Sequence, residues 1–224
     1  MVKRLSILCV LLGWIGCAVY AQEEGKLENK VDSMSYALGV DLGNNLSSLD
    51  LKLNSDLVFR GLVDGMAKAN NLTDTEVRRL LQQFQVEAQA AQRQKMIEKE
   101  NSFLAENRAK EGVKETESGL QYIVLQEADG PKPASASTKV RVHYEGRLVD
   151  GSIFDSSIQR GEPIEFALNG VISGWTEGVQ LMSVGSKYRF FIPYKMAYGE
   201  QGRPPRIGPF STLIFDIELI DIVE

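Results

Sequence analysis

Between residue 27 and about residue 113 the apolar positions recur at helical spacing. Tyr36, Val40 and Gly43, with Ala37 and Leu38 beside them, predict a helix within residues 31–46. Leu57, Val58, Leu62 and Met66 fall on neighbouring turns of a second, with Ser55 placed to cap it. Thr73-Asp74-Thr75-Glu76 reads as a capping box, in which the threonine oxygen and the Glu76 carboxylate each accept a backbone N–H. No glycine or proline follows until Gly112, and Val77, Leu81, Phe84, Ala88 and Ala91 repeat at intervals of three and four. This predicts one long helix, about 55 Å from end to end if unbroken. Its first half has an apolar stripe, and residues 93–110 are mostly charged. The expectation is a helix packed at its start and solvent-exposed beyond, serving as a semi-rigid spacer. A solvated linker is the blander reading of the charged stretch.

From Gly119 the period changes from helical to alternating. Leu120, Tyr122 and Val124 alternate with polar neighbours, as do Val140, Val142 and Tyr144, and residues 187–192 and 212–222 also read as strands. Gly130-Pro131, Asp150-Gly151 and Arg203-Pro204-Pro205 punctuate the connections. A β-rich domain of roughly 105 residues with one short helix near 176–181 is the expected result.

The first twenty or so residues differ from the rest. Lys3 and Arg4 precede an apolar run over residues 5–15, too short to span a bilayer comfortably, and Val19-Tyr20-Ala21 supplies small residues at a cleavage position. Residues 1–21 therefore read as an export signal. Both cysteines, Cys9 and Cys17, lie within it, which leaves the body without a disulfide framework. Ile15-Gly16-Cys17 also resembles the end of a bacterial lipobox, so lipidation at Cys17 and cleavage after Ala21 both stand open.

The composition is that of a globular protein, 43% hydrophobic and 25% charged. A formal net charge of -5 offers no basic surplus for nucleic acid. His143 is the single histidine, which gives little support to a histidine metal cluster or a catalytic triad, and no phosphate-binding glycine loop occurs.

Five pieces of the C-terminal segment carry a family resemblance. Residues 140–146 (VRVHYEG), 151–157 (GSIFDSS), 170–175 (GVISGW), 197–199 (AYG) and 212–219 (TLIFDIEL) resemble, in order and spacing, the motifs of FKBP-type peptidyl-prolyl isomerases. Ser35-Tyr36-Ala37-Leu38-Gly39 and the long helix are similar to the macrophage infectivity potentiator group of exported FKBPs. The resemblance implies an α+β protein: a helical dimerisation module with a long spacer helix over residues 22–116, then an antiparallel sheet wrapped on a short helix over 117–224. It implies a homodimer that binds proline-containing or unfolded polypeptides and macrolide-type inhibitors, with no cofactor and no metal. Membrane contact would come only through a lipid anchor, in the bacterial periplasm or at the outer membrane.

The resemblance also assigns a site. Trp175 becomes the floor beneath a proline ring, and Tyr144, Phe154, Val171, Ile172 and Phe215 become apolar walls. The Ile172 backbone N–H and the Tyr198 hydroxyl become donors to substrate carbonyls. Asp155 stands near the twisting amide with Arg160 as its partner. Ile164 occupies an aromatic wall position, and Ile207 is assigned to the rim. The loop 203–210 departs from the family, with Gly208 at an expected proline and Arg203 and Arg206 adding charge. His143 and Glu145 are expected to face away from Tyr144, on the opposite side of their strand. Catalysis of folding in exported proteins is the leading function. A chaperone or binding protein that uses the pocket mainly for recognition is the alternative.

Overall fold

The computed structural model describes residues 26–49, 51–69 and 71–223, so the leader, with Cys17 and Ala21, lies outside the described residues. The chain divides into two compact units, one ending at Ser48 and the other running from Leu49 onward.

The first unit holds helix α1 (Lys30–Ser47). Asn29 starts it, its Oδ1 accepting the amides of Val31 and Asp32 at 2.8 and 3.0 Å. The second unit opens with α2 (Ser55–Met66). Ser55 is not its cap but its first helical residue. Asn54 has the extended backbone of a cap, and its Oδ1 reaches the Leu57 amide at 3.1 Å. Helix α3 (Asp74–Arg108) is 35 residues long and begins with the expected capping box. Thr73 Oγ1 accepts the Glu76 amide at 3.3 Å, and Glu76 Oε2 accepts the Thr73 amide at 2.8 Å.

Along α3 the apolar stripe is only partly covered, with Ala88 buried, and the second half is not simply solvent-exposed as expected. Leu81 and Val86, in the apolar first half, are 56% and 62% exposed. The charged half docks on the sheet. Glu100 and Asn107 are buried, Phe103 lies 6.2 Å from the Phe191 ring, and Arg93 pairs with Glu200. The physical reason is a mixed stripe: Ile97, Glu100, Phe103, Leu104 and Asn107 share one face, and its polar members find partners. Asn107 Nδ2 donates to Gln121 Oε1 at 2.9 Å, while Gln121 Nε2 donates to the Leu104 carbonyl at 2.9 Å and to Glu115 at 2.7 Å. A buried polar group paired in this way avoids the desolvation cost that favours solvent.

Beyond α3 come strands β1 (Lys114–Glu115), β2 (Gln121–Gln126), β3 (Lys139–Leu148) and β4 (Ile153–Ser156), the single turn α4 (Ser157–Arg160) and β5 (Ile164–Ala167). Helix α5 (Ser173–Leu181), β6 (Lys187–Ile192) and β7 (Leu213–Val223) complete the fold. The helix begins at Ser173, three residues before the helix read near 176–181. All strand pairings are antiparallel, in the order β1-β2-β6-β7-β3-β4. β5 pairs with the first half of β3 and β4 with its second half. β3 alternates as the sequence predicts. Val140, Val142 and Tyr144 point into the core, and His143 and Glu145 are on the other face. On that face Asp216 takes two hydrogen bonds from Arg189, at 2.5 and 2.7 Å.

Helix α5 lies directly on β6 because two glycines face the strand. A Cβ at Gly174 would stand 2.4 Å from Ile192, and one at Gly178 would stand 2.7 Å from Phe190. This close approach sets Trp175, between them in sequence, down into the core at 5% exposure.

Candidate active site

The floor and walls of one cavity come from five elements. β3 turns Tyr144 inward, β7 supplies Phe215, β4 supplies Phe154, and α5 supplies Trp175. Ile164 comes from β5, and Val171 and Ile172 from the residues leading into α5. Together with Asp155, Gly170, Tyr198 and Arg203 they line about 430 Å³ of space, which suits a small ring and its flanking peptide. The rings meet edge to face. Trp175 is 5.0 Å from Phe215 at 86° and 5.1 Å from Tyr144 at 80°, and Phe154 meets Phe215 at 5.4 Å and 87°. Gly146 makes this possible: its Cα faces both rings, and a Cβ there would lie 2.6 Å from Phe215 and 2.7 Å from Phe154.

The polar side of the cavity is a closed network. Tyr144 Oη donates to Asp155 Oδ2 at 2.5 Å, and Arg160 donates to Asp155 Oδ1 at 2.5 Å and to Tyr144 Oη at 3.0 Å. The Arg160 guanidinium also lies 5.5 Å above the Tyr144 ring. Burial works against the Asp155 carboxylate, but the Tyr144 hydroxyl and Arg160 together outweigh it and hold its pKa below the ordinary value. Burial pushes the Tyr144 phenol up, and its bond to Asp155 adds to that. The pair therefore stays as a phenol and a carboxylate at neutral pH.

Tyr144 is held from behind by Ser157, the first residue of α4. Ser157 Oγ accepts the Tyr144 backbone N–H at 2.7 Å and donates to its carbonyl at 3.2 Å, with His143 Nδ1 at 3.1 Å. Ser156 caps the same turn through the Gln159 amide at 3.2 Å. The two serines in sequence after Phe154-Asp155 were the available signal for this clamp, and the sequence reading did not assign them a role.

Most of the residues assigned from the sequence meet in this cavity: Tyr144, Phe154, Asp155, Ile164, Val171, Ile172, Trp175, Tyr198 and Phe215. Two do not. Ile207, assigned to the rim, is 4% exposed and packs in the core. Its amide and carbonyl bridge Arg203, so its side chain anchors the loop from beneath. Arg160 stands behind Asp155 rather than on the cavity wall. Arg203, singled out only as added charge, lines the wall, its guanidinium 5.5 Å over the Tyr198 ring and 3.2 Å from the Tyr198 hydroxyl.

The fold is that of a proline-bond isomerase. Residues 130–220 match the family model of the FKBP-type peptidyl-prolyl cis-trans isomerases, and residues 31–124 match that of the domain amino-terminal to them. The chain is 43% identical over 194 residues to the FKBP-type 22 kDa peptidyl-prolyl cis-trans isomerase of Escherichia coli K12, covering 84% of this chain and 94% of that protein. It is 38% identical over 229 residues to the outer membrane protein MIP of Legionella longbeachae, covering 98% of each. The crystal structure of FkpA from Escherichia coli matches with a TM-score of 0.58 at 36% identity, over 87% of this chain and 97% of that one. The chain belongs to the FKBP-type peptidyl-prolyl cis-trans isomerases, and it is similar to the FkpA and Mip proteins among them. It catalyses cis-trans isomerisation of peptidyl-prolyl bonds.

Proposed function

We propose that the cavity floored by Trp175 is where the proline ring binds and the amide twists. Rotation about a peptide bond faces about 18–20 kcal/mol, much of it amide resonance. The twisted amide has lost conjugation and is less dipolar than the planar one. An apolar, water-poor wall therefore favours it over the solvated ground state. A million-fold acceleration needs about 8 kcal/mol of such preference, so shape, desolvation and a few hydrogen bonds act together.

The observation that carries this reading is the junction of an aromatic bowl with the Tyr144–Asp155–Arg160 network at its edge. Both Asp155 oxygens already accept hydrogen bonds, so the carboxylate is a poor nucleophile. Its role is electrostatic: a fixed negative group that orients or polarises the turning amide. The Ile172 amide, which has no hydrogen-bond partner among the described residues, and the Tyr198 hydroxyl hold the substrate carbonyls. The same bowl admits macrolide-type inhibitors.

The isomerase acts on exported polypeptides, over a catalytic domain at 117–224 behind a helical module at 22–116. Residues 1–21 direct export to the bacterial periplasm or to an outer-membrane lipid anchor, and the name of the Legionella relative fits that address. The helical module pairs two chains and adds chaperone activity. What favours this is the apolar surface of the second unit's helices, on which Phe59 is 68% and Met66 80% exposed. Proline-peptide turnover by the full chain tests the site: Phe154→Ala and Asp155→Ala each cut kcat/KM sharply while the fold persists, and unchanged turnover refutes the assignment. Sedimentation reads the dimer, and suppression of aggregation by a variant without turnover reads the chaperone.

A further inference from the structure

Arg203 lines the cavity and Arg206 the neighbouring depression that shares Phe154 and Asp155 with it, and neither has a carboxylate within salt-bridge distance among the described residues. Arg160, by contrast, is neutralised by Asp155. The side chain of Arg203 makes one hydrogen bond, to the Tyr198 hydroxyl, and that of Arg206 makes one, to the Phe154 carbonyl at 3.0 Å. Each guanidinium has five N–H donors, so most of both forks is unengaged.

The backbone that carries these cations is held in place. The Arg203 amide donates to the Ile207 carbonyl at 2.8 Å, the Ile207 amide returns the bond at 3.1 Å, and the buried Ile207 side chain pins the loop to the core. Gly202, at a positive φ of 65°, lies so close to Gly208 that any side chain would collide with its carbonyl. Surface arginines usually mean little because water and side-chain entropy dilute them. Here Arg203 lines an apolar cavity, with Arg206 beside it on the carbonyl of the wall residue Phe154, in a chain of net charge -5.

We propose that Arg203 and Arg206 select substrates in which an acidic residue flanks the proline. With the ring on Trp175, a neighbouring carboxylate falls within reach of the Arg203 fork, and a lysine there meets two cations. This rests on the cavity being the proline site.

The test uses the full chain and two sets of peptides, one varying the residue before the proline and one the residue after it, each with Glu, Gln or Lys. At low salt kcat/KM for Glu exceeds that for Lys in at least one set by roughly three- to tenfold, and the ratio shrinks as salt rises. R203E/R206E inverts the ratio, R203Q/R206Q brings it near one, and R203K/R206K keeps it. Normal turnover of the Gln peptides with a Glu-to-Lys ratio of one in both sets overturns the inference and leaves the proline site standing. A ratio unmoved in R203Q/R206Q also overturns it. No turnover of any peptide removes the proline site and this inference together.

Discussion

Glu100, in the second half of α3, accepts the backbone N–H of Tyr194 at 2.7 Å and the Thr212 hydroxyl at 3.0 Å. The contact ties the long helix to the turn that leads to Tyr198 and to the start of β7, which carries Phe215. A residue in a stretch that looks solvated thus braces two walls of the cavity.

Burial raises the Glu100 pKa above the ordinary value, against the opposing pull of the Tyr194 amide, the Thr212 hydroxyl and Lys195. The stability this group contributes is complete below the ordinary carboxylate range and is lost as pH rises through its raised folded value. Glu100→Gln keeps an acceptor and removes the titration. Its stability relative to the parent therefore improves in urea titrations as pH rises above the ordinary carboxylate range. Glu100→Ala orphans the Tyr194 amide and costs about 1–3 kcal/mol. A Gln variant whose relative stability does not change with pH contradicts this reading.

The Asp155 pKa moves the other way. Its contribution is present above the ordinary aspartate range and is lost as pH falls through its lowered folded value. Turnover should therefore persist into acid until the fold itself weakens. Tyr144→Phe removes the 2.5 Å donor, moves the acid limb of the turnover profile upward, and lowers kcat/KM tenfold or more. That is the scale of a hydrogen bond to a charged group, about 1.5–3 kcal/mol. An acid limb that stays in place in Tyr144→Phe separates the phenol from the titration of Asp155.

Gly146→Ala places a methyl against Phe215 and Phe154. The overpacking costs about 1–3 kcal/mol, and because both rings line the cavity, turnover falls by more than the loss of folded protein explains. Equal losses measured by thermal melts and by kcat/KM contradict the placement of those rings.

A fragment beginning at residue 117 severs the Gln121 side chain from Asn107 and Leu104, and Tyr194 and Thr212 from Glu100. It is expected to be several kcal/mol less stable than a fragment beginning near residue 93, at about 1–3 kcal/mol for each buried group left unpaired. Peptide turnover per folded molecule should stay similar in the two. Matching stabilities by chemical denaturation show that the docking seam contributes nothing.

Much of this was legible in the sequence because it is periodic. The alternation of Val140, Val142 and Tyr144 gave the inward face of β3, and Thr73 with Glu76 gave the start of α3. What the pattern hid was polar burial. Glu100 and Asn107 count as charged and polar in any window, and only a tertiary partner such as Gln121 turns them inward. Ile207 was assigned to the rim by the family resemblance, whereas a reciprocal bridge with Arg203 folds it under. Asn54 displaced Ser55 as a cap since both are good caps and only the backbone decides between neighbours. The place of Arg203 on Tyr198 depends on that same loop closure, which no local spacing announces.

The central claim is that a proline ring settles on the indole of Trp175 and turns there. Intermolecular proton contacts between an isotope-labelled proline peptide and the full chain, measured by NMR during turnover, test it directly. Contacts from the proline ring protons to the Trp175 indole and the Phe215 ring are predicted. Turnover that proceeds while those protons report a different surface would contradict the account.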